Sequence, residues 1–442
     1  MSTETFLQHL QERVEQGAPE WLTSRRQSAA ESFARQGFPS PRQEAWKYTD
    51  VSRIAESRFT LASDAALSEA RLAALRLQVD DAHRLVFVDG LFSAEHSDIG
   101  ELPAGVVVEP LSQALMQGRE VLGSQLGRLT GEDFSPFAAL NTAFAHEGVL
   151  LHLGRNAVLE KPVYAIFVSR TGESAVMSHP RLLIRAEQGS EASLIEHHIG
   201  EHEAANFTNV VGEASLDANA RVRHYKLQEA SQSEYHVSSM HIDQQRDSLY
   251  ASYNLNLGGA LVRNDLISEL NDENATTEFW GLFFGQERQH IDNHTQVNHN
   301  APRTYSNESY KGILGGRARG VFNGRVYIKR DAQQVRGYQN NANLLLSDRA
   351  EIDTKPELEI YADDVLCSHG ATTGQLDENA IFALRARGIS QEMARGLLTL
   401  AFATEVMEQI PLAEITERVE RTVAGKLPDR FNLMGVVEDS DA

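Results

Sequence analysis

The chain has 442 residues, 41% hydrophobic and 23% charged, enough for one large core or a few smaller ones. Its 62 acidic residues outnumber 41 Lys and Arg, giving a formal net charge of −21, and such a surface argues against nucleic acid or an anionic membrane as a main partner. A single cysteine excludes an internal disulfide, no apolar run approaches the roughly 20 residues of a membrane span, and the N-terminus lacks the order of a secretory leader. Together these predict a reducing, cytoplasmic setting.

Residues 1–105 read as an N-terminal helical region with one short strand pair. Phe6, Leu10 and Val14 recur at spacing four, Trp21 and Phe33 continue an apolar face, and Gly37, Pro39 and Pro41 interrupt it. RLVFVDGLFS, 84–93, predicts strand, DG turn, strand. Residues 106–375 are assigned to a β core. From about 148 onward short apolar runs such as VYAIFV, RLLIRA and ARVRHYKL alternate with polar turns, without long helical patterns.

A polar turn leads into a strand at Ala192, Ala220, Leu249 and Ala275, spacings of 28, 29 and 26. That period suits the rung of a solenoid. An antiparallel sandwich also fits turn signals this frequent, so both architectures stay open at this point. The asparagines of QNNANLLLS, 339–347, are expected to stack as ladders between rungs. Residues 376–442 revert to helix: Asp377 and Ser390 are candidate N-caps, Met393, Leu397, Leu400 and Thr404 share a face with Ala401 and Val406 nearby, and Pro411 separates LAEITERVERTVAGKL. This C-terminal helical domain is expected to close the end of the β region.

Signatures of self-sufficient catalysis are missing: no GxxxxGK[ST], GxSxG, HExxH or GxGxxG occurs, so the chain has no ATP site of its own. QHIDNHTQVNHN, 289–300, carries His290, His294 and His299, but on a strand His299 points away from the other two, which favours structural roles over a metal site. The lone cysteine lies in ADDVLCSHGATTG, 362–374. On an extended strand Cys367 and His369 share one face, roughly 6.6 Å apart along the chain. Three readings remain: a buried filler thiol with a satisfied histidine, a Cys–His nucleophile, and a partial metal or cluster site. Two donors fall short of the four that a tetrahedral metal or an iron–sulfur cluster takes, so a partial site requires another chain.

The run from QNNANLLLS through YADDVLCSHGATTGQLDENAIFALRARGIS, 339–390, closely resembles the C-terminal core of the SufB/SufD scaffold family of the SUF iron–sulfur cluster assembly system. WKYTD at 46–50, RNDL at 263–266 and GVFNGRVYIKRDAQQVRGYQ at 320–339 resemble it too. The resemblance implies a mainly β fold: a right-handed parallel β-helix flanked by N- and C-terminal helical domains. It implies a non-catalytic scaffold that pairs with a SufB-like subunit and docks a SufC-like ABC ATPase through its C-terminal region. The single cysteine and the short CSHGATTG form are similar to the SufD branch, which makes His369 the candidate ligand, with Cys367 beside it, for a transient iron–sulfur cluster at the subunit interface. Two alternatives stand beside this: a homodimer in which two copies of Cys367 and His369 meet across a twofold axis, and a β-helix polysaccharide lyase or hydrolase.

Overall fold

The computed structural model describes Phe6 and residues 19–131, 134–170, 174–200 and 204–427. Leu10 and Val14 of the expected first helix, and residues 428–442 of the C-terminal region, lie outside them. Phe6 joins a core cluster with Phe33, Phe59 and Phe137, next to the helix Glu20–Gln36.

Strand β1 (His83–Val88) turns through Asp89 and Gly90, both at positive φ, into β2 (Leu91–Phe92), as the DG pair predicts. β3 (Val106–Pro110) lies antiparallel to β4 (Gly148–Leu153), and between them run the helices Leu111–Met116, Glu120–Gln125 and Pro136–Ala143, which the sequence reading did not anticipate. β5 (Val163–Ser169), β6 (Met177–Ser178) and β7 (Arg181–Ala186) begin a regular winding. It continues through β8 (Glu191–Gly200), β9 (Phe207–Leu216), β10 (Arg221–Glu229), β11 (Tyr235–Gln244), β12 (Leu249–Asn256) and β13 (Leu261–Leu270). It ends with β14 (Thr276–Gly285), β15 (His290–His299), β16 (Tyr305–Leu314), β17 (Arg319–Ile328), β18 (Val335–Leu345), β19 (Glu351–Ile360) and β20 (Val365–Gly374).

From β8 onward successive strands alternate between two sheets, one ordered β2-β1-β5-β8-β10-β12-β14-β16-β18-β20 and the other β19-β17-β15-β13-β11-β9-β7-β4-β3. Neighbours within each sheet of this winding are parallel. Strands that alternate in this way and pair in parallel with the next turn make a β-solenoid of about seven turns, not an antiparallel sandwich. Arg221 aligns with Glu191 and Leu249, and Leu249 with Thr276, so the turn signals read at Ala192, Ala220, Leu249 and Ala275 fall within a residue of the true rungs.

The repeat has a local cause. Just before each first-sheet strand from β8 to β18, one residue takes positive φ: Gly189, Asn219, Asp247, Asn274, Arg303 and Gln334. Gly, Asn and Asp tolerate that geometry. Backbone hydrogen bonds from one turn to the next stack the corner, as in Asn219 N–H to Arg246 O at 2.9 Å and Arg303 N–H to Gln333 O at 2.9 Å. The expected asparagine ladder is corrected here. Asn341 and Asn343 bond to each other along one strand and to the carbonyls of Tyr310 and Thr372 on either side. A bond between asparagines of successive turns does occur elsewhere, Asn264 Nδ2 to Asn293 Oδ1 at 3.1 Å on β13 and β15.

The C-terminal helices correct a second expectation. Asp377 and Ser390 do cap Glu378–Arg385 and Gln391–Met407 by accepting from Asn379 N–H and Met393 N–H. Yet Gln391–Met407 and Ala413–Lys426 roof the outer face of the first sheet and do not close the open end. Ala403, Val406, Ile415 and Val419 join a core with Tyr225, Leu255, Leu282 and Phe284, because those outward strand positions are apolar. Ala401 faces solvent. The N-terminal end is covered by β3 and its helices, whereas among the described residues β19 and β20 each end a sheet with no strand beyond them.

Candidate functional site

Cys367 and His369 lie on β20, the last strand of the first sheet, in register with Gly337 and Gln339 on β18. Alternation sends both side chains toward the solenoid lumen and turns Leu366 and Ser368 outward. Val365 and Cys367 pack on a small cluster formed by Val326, Ile328, Val335 and Ala362. Gly337 lies beneath the thiol, where a Cβ would make ordinary contact with Cys367 Sγ at 3.5 Å. The thiol is half-buried; loss of hydration pushes its pKa up, partly offset by a hydrogen bond from the Gly337 backbone. His369 is exposed.

The surroundings are those of an unfinished sheet. β18 occupies one edge of β20, and among the described residues the opposite edge carries no strand. β19 ends the other sheet in the same way. Large apolar side chains cluster there in solvent: Ile360, Tyr361 and Leu366 are 39%, 56% and 61% exposed. A bare edge with apolar side chains is a template for strand pairing and costs solubility when left uncovered. Among the described residues no three His, Cys, Asp or Glu converge as a metal site. Cys367 and His369 therefore offer one sulfur and one imidazole, donors suited to iron–sulfur chemistry but too few to close a site. As i and i+2 neighbours on one strand, they do not approach each other as a nucleophile and its oriented base must.

The three histidines of 290–299 are engaged in structure. His290 Nε2 lies 2.7 Å from Thr49 Oγ1, His294 Nε2 lies 3.0 Å from Asp292 Oδ1, and buried His299 sits between the hydroxyls of Thr304 and Ser306.

Two of the distinctive motifs meet away from Cys367, at a clamp that sequence reasoning missed. Arg263 of RNDL stacks over Trp46 of WKYTD at 4.5 Å, donates to Ala45 O at 3.0 Å, and pairs with Asp292 at 2.6 Å and Asp265 at 2.8 Å. Thr49 donates to the same Asp292. Asp292 is fully buried, and burial opposes its charge, but Arg263 and His294 hold its carboxyl far below the usual range. The clamp ties the N-terminal segment to the middle of the second sheet. The only signal in the sequence was that two specific motifs lay some two hundred positions apart; spacing alone could not pair them.

A second clasp holds the C-terminal roof. Glu229, at the end of β10, accepts from Arg418 Nε at 2.9 Å, from Thr422 Oγ1 at 2.7 Å and from His197 Nε2 at 3.1 Å. His197 continues to Tyr164 OH at 2.8 Å, which accepts from Leu77 N–H at 2.9 Å. N-terminal segment, solenoid and C-terminal helix thus share one buried hydrogen-bonded chain.

Comparison with known proteins bears on these features. Residues 167–402 match the model of the SUF system FeS cluster assembly SufBD core domain, and residues 3–165 match that of the SufBD protein N-terminal region. An iron-sulfur cluster assembly SufBD family protein of Synechocystis is 34% identical over 413 residues, covering 91% of this chain and 90% of the relative. The iron-sulfur cluster assembly protein SufD of Escherichia coli is 31% identical, covering 91% and 92%. The chloroplastic protein ABCI7 of Arabidopsis thaliana is 29% identical, covering 91% and 85%. Along nearly its whole length, the chain belongs to the SufBD family of the SUF iron–sulfur cluster assembly system.

Proposed function

We propose that the chain is a non-catalytic, SufD-type scaffold subunit that completes a nascent iron–sulfur cluster site together with a cysteine-richer, SufB-like subunit. The observation that carries this reading is the bare far edge of β20, with Cys367 and His369 on the lumen side of the strand that ends the sheet among the described residues. A partner strand laid along that edge would satisfy its free N–H and C=O groups. It would also cover Leu366, Ile360 and Tyr361 and add the missing donors. His369 serves as the ligand and Cys367 as its neighbour. An imidazole holds iron less firmly than a thiolate and raises a cluster's potential, which suits a site that gives its cluster away.

ATP hydrolysis belongs to a separate SufC-like chain in this reading, since no P-loop occurs here. The docking surface is the C-terminal helical region, where Phe382 is 72% exposed on Glu378–Arg385. The clasp at Glu229 would pass motion of those helices into the solenoid. The setting is a reducing compartment such as the cytoplasm; among the described residues no helix is long and apolar enough to cross a membrane.

The test is anaerobic isolation of the tagged chain from its own host, with masses of everything retained. Recovery of an ABC-type ATPase and a cysteine-richer paralogue supports the reading. Recovery of a dimer of this chain alone replaces it with a homodimeric scaffold, and recovery of a monomer removes the basis for a shared site.

A further inference from the structure

Behind His369 the lumen holds a column of polar side chains. Glu308 on β16, Gln339 on β18 and His369 on β20 occupy successive rungs in direct register. Neighbouring strands are about 4.8 Å apart, so Glu308 lies on the order of 10 Å beneath His369. Glu308 is fully buried and Gln339 is 3% exposed. Gln339 Nε2 donates to Glu308 Oε1 at 3.2 Å. The other oxygen of each group, Glu308 Oε2 and Gln339 Oε1, is buried with no hydrogen-bond partner. Gly324 on β17 gives the Gln339 amide its space, for a Cβ there would overlap it.

Two orphaned oxygens on one acid and one amide have a simple resolution. A proton on Glu308 Oε2 makes it a donor, and Gln339 Oε1, on the residue in register with it, is a buried acceptor without a partner. A second bond between acid and amide, beside the one observed, would satisfy both oxygens. Ionised, the carboxylate has no counter-charge, only the neutral hydrogen-bond donors of Gln339 and Thr295. On its own strand its titratable neighbour is Tyr310, which burial keeps neutral. On β14 it meets Phe279, and on β18 the neutral amide of Gln339. From the facing sheet come the Thr295 hydroxyl, which offsets only part of the cost of burying the charge, and beyond Ser306 the neutral His299. No Lys, Arg or second carboxylate acts on it, and burial pushes its pKa up to about 7.

We propose that Glu308 is a proton store for the open end: a neutral acid paired with Gln339 in the resting chain, which releases its proton when a divalent cation is held at His369. The exchange balances as one cation bound and one proton lost, with no change of oxidation state. It rests on the reading of His369 as a ligand. Glu308 acts through Gln339 and through charge, as a positioning residue, and touches no iron. At an effective dielectric constant of about 20, a doubly charged ion about 10 Å away favours the ionised acid by a factor on the order of 100. Uptake of iron would then leave the lumen less positively charged than the ion alone would make it.

The experiment uses ferrous iron as the probe, with the chain isolated together with whatever subunits accompany it. Anaerobic calorimetry in buffers of different ionisation enthalpy counts protons released per ion near pH 6. Wild type is expected to release about one more proton than Glu308→Gln, and its affinity to rise about tenfold more steeply per pH unit below pH 7. Infrared difference spectra should show a carboxylic-acid carbonyl band that Glu308→Gln abolishes and that Gln339→Met shifts. Equal proton counts in wild type and Glu308→Gln, or no such band, overturn the inference. His369→Ala separates the two ideas: loss of iron binding there with equal proton counts retains the ligand reading and rejects the proton store. Unchanged binding in His369→Ala, or none in wild type, rejects both.

Discussion

Replacing Arg263 by Met removes the centre of the N-terminal clamp while keeping an unbranched side chain of similar reach. The guanidinium side chain is 2% exposed, and that of its partner Asp292 is 1% exposed. Breaking a buried pair from one side leaves a charge without compensation, at a cost of about 3–5 kcal/mol. The stacking on Trp46 at 4.5 Å adds up to about 2 kcal/mol when desolvated. Thr49 and His294 remain beside Asp292 and offset part of this, so the expected loss is about 3–5 kcal/mol in urea unfolding followed by circular dichroism. Replacing Asp292 by Asn in the same chain removes the stranded charge. Arg263→Met/Asp292→Asn is therefore expected to be at least about 2 kcal/mol more stable than the sum of the single losses. Limited proteolysis should release the segment around WKYTD first in Arg263→Met. A single-variant loss below about 1 kcal/mol, or additive losses in the double variant, would refute a clamp built on this pair.

Four further outcomes follow from the same geometry. Burial lowers His299 to about 3, so its neutral form belongs to the fold; that contribution is complete above the unfolded pKa near 6.5 and fades as pH falls toward 3. His299→Asn should accordingly flatten acid unfolding in that window, by about 1.4 kcal/mol per unit at its steepest. Glu229 is held down to about 2, with burial opposing and His197 and Arg418 favouring the charge, so its stabilisation is present above about 4.5 and lost as pH falls through 2. Hydrogen exchange in Ala413–Lys426 should rise in Glu229→Gln at pH 7 and rise less near pH 3. Leu366→Lys is expected to leave the melting temperature of the isolated chain unchanged and to lower recovery of the edge partner at least tenfold, measured by co-purification; full recovery would move the interface elsewhere. His369→Cys should retain cluster and slow its transfer to an apo-acceptor, followed by absorbance.

Much of the solenoid was legible because its cause is local. Each corner needs a residue at positive φ, and Gly189, Asn219, Asp247 and Asn274 announce it in the sequence. Arg303 and Gln334 occupy the same corner without that signature, which is why the repeat fades toward the C-terminus. The placement of the last helices was not legible. Their apolar faces show that they cover something, but only the outward positions of the first sheet, such as Tyr225 and Leu255, show what. The pairing of Cys367 with His369 on one face followed from period two. That β20 has no strand beyond it among the described residues did not, because an edge is a property of topology. The column from Glu308 to His369 was equally hidden, since it joins residues 31 and 30 positions apart that only the register aligns.

The central claim is that His369 on the bare edge of β20 completes a cluster shared with another chain. The most direct measurement is the iron and acid-labile sulfide content of the anaerobically isolated complex, in wild type and His369→Ala, with subunit stoichiometry determined on the same samples. The expected result is an intact complex that loses most of its cluster in His369→Ala and keeps its solenoid by circular dichroism. An intact complex with undiminished iron and sulfide in His369→Ala would contradict the account.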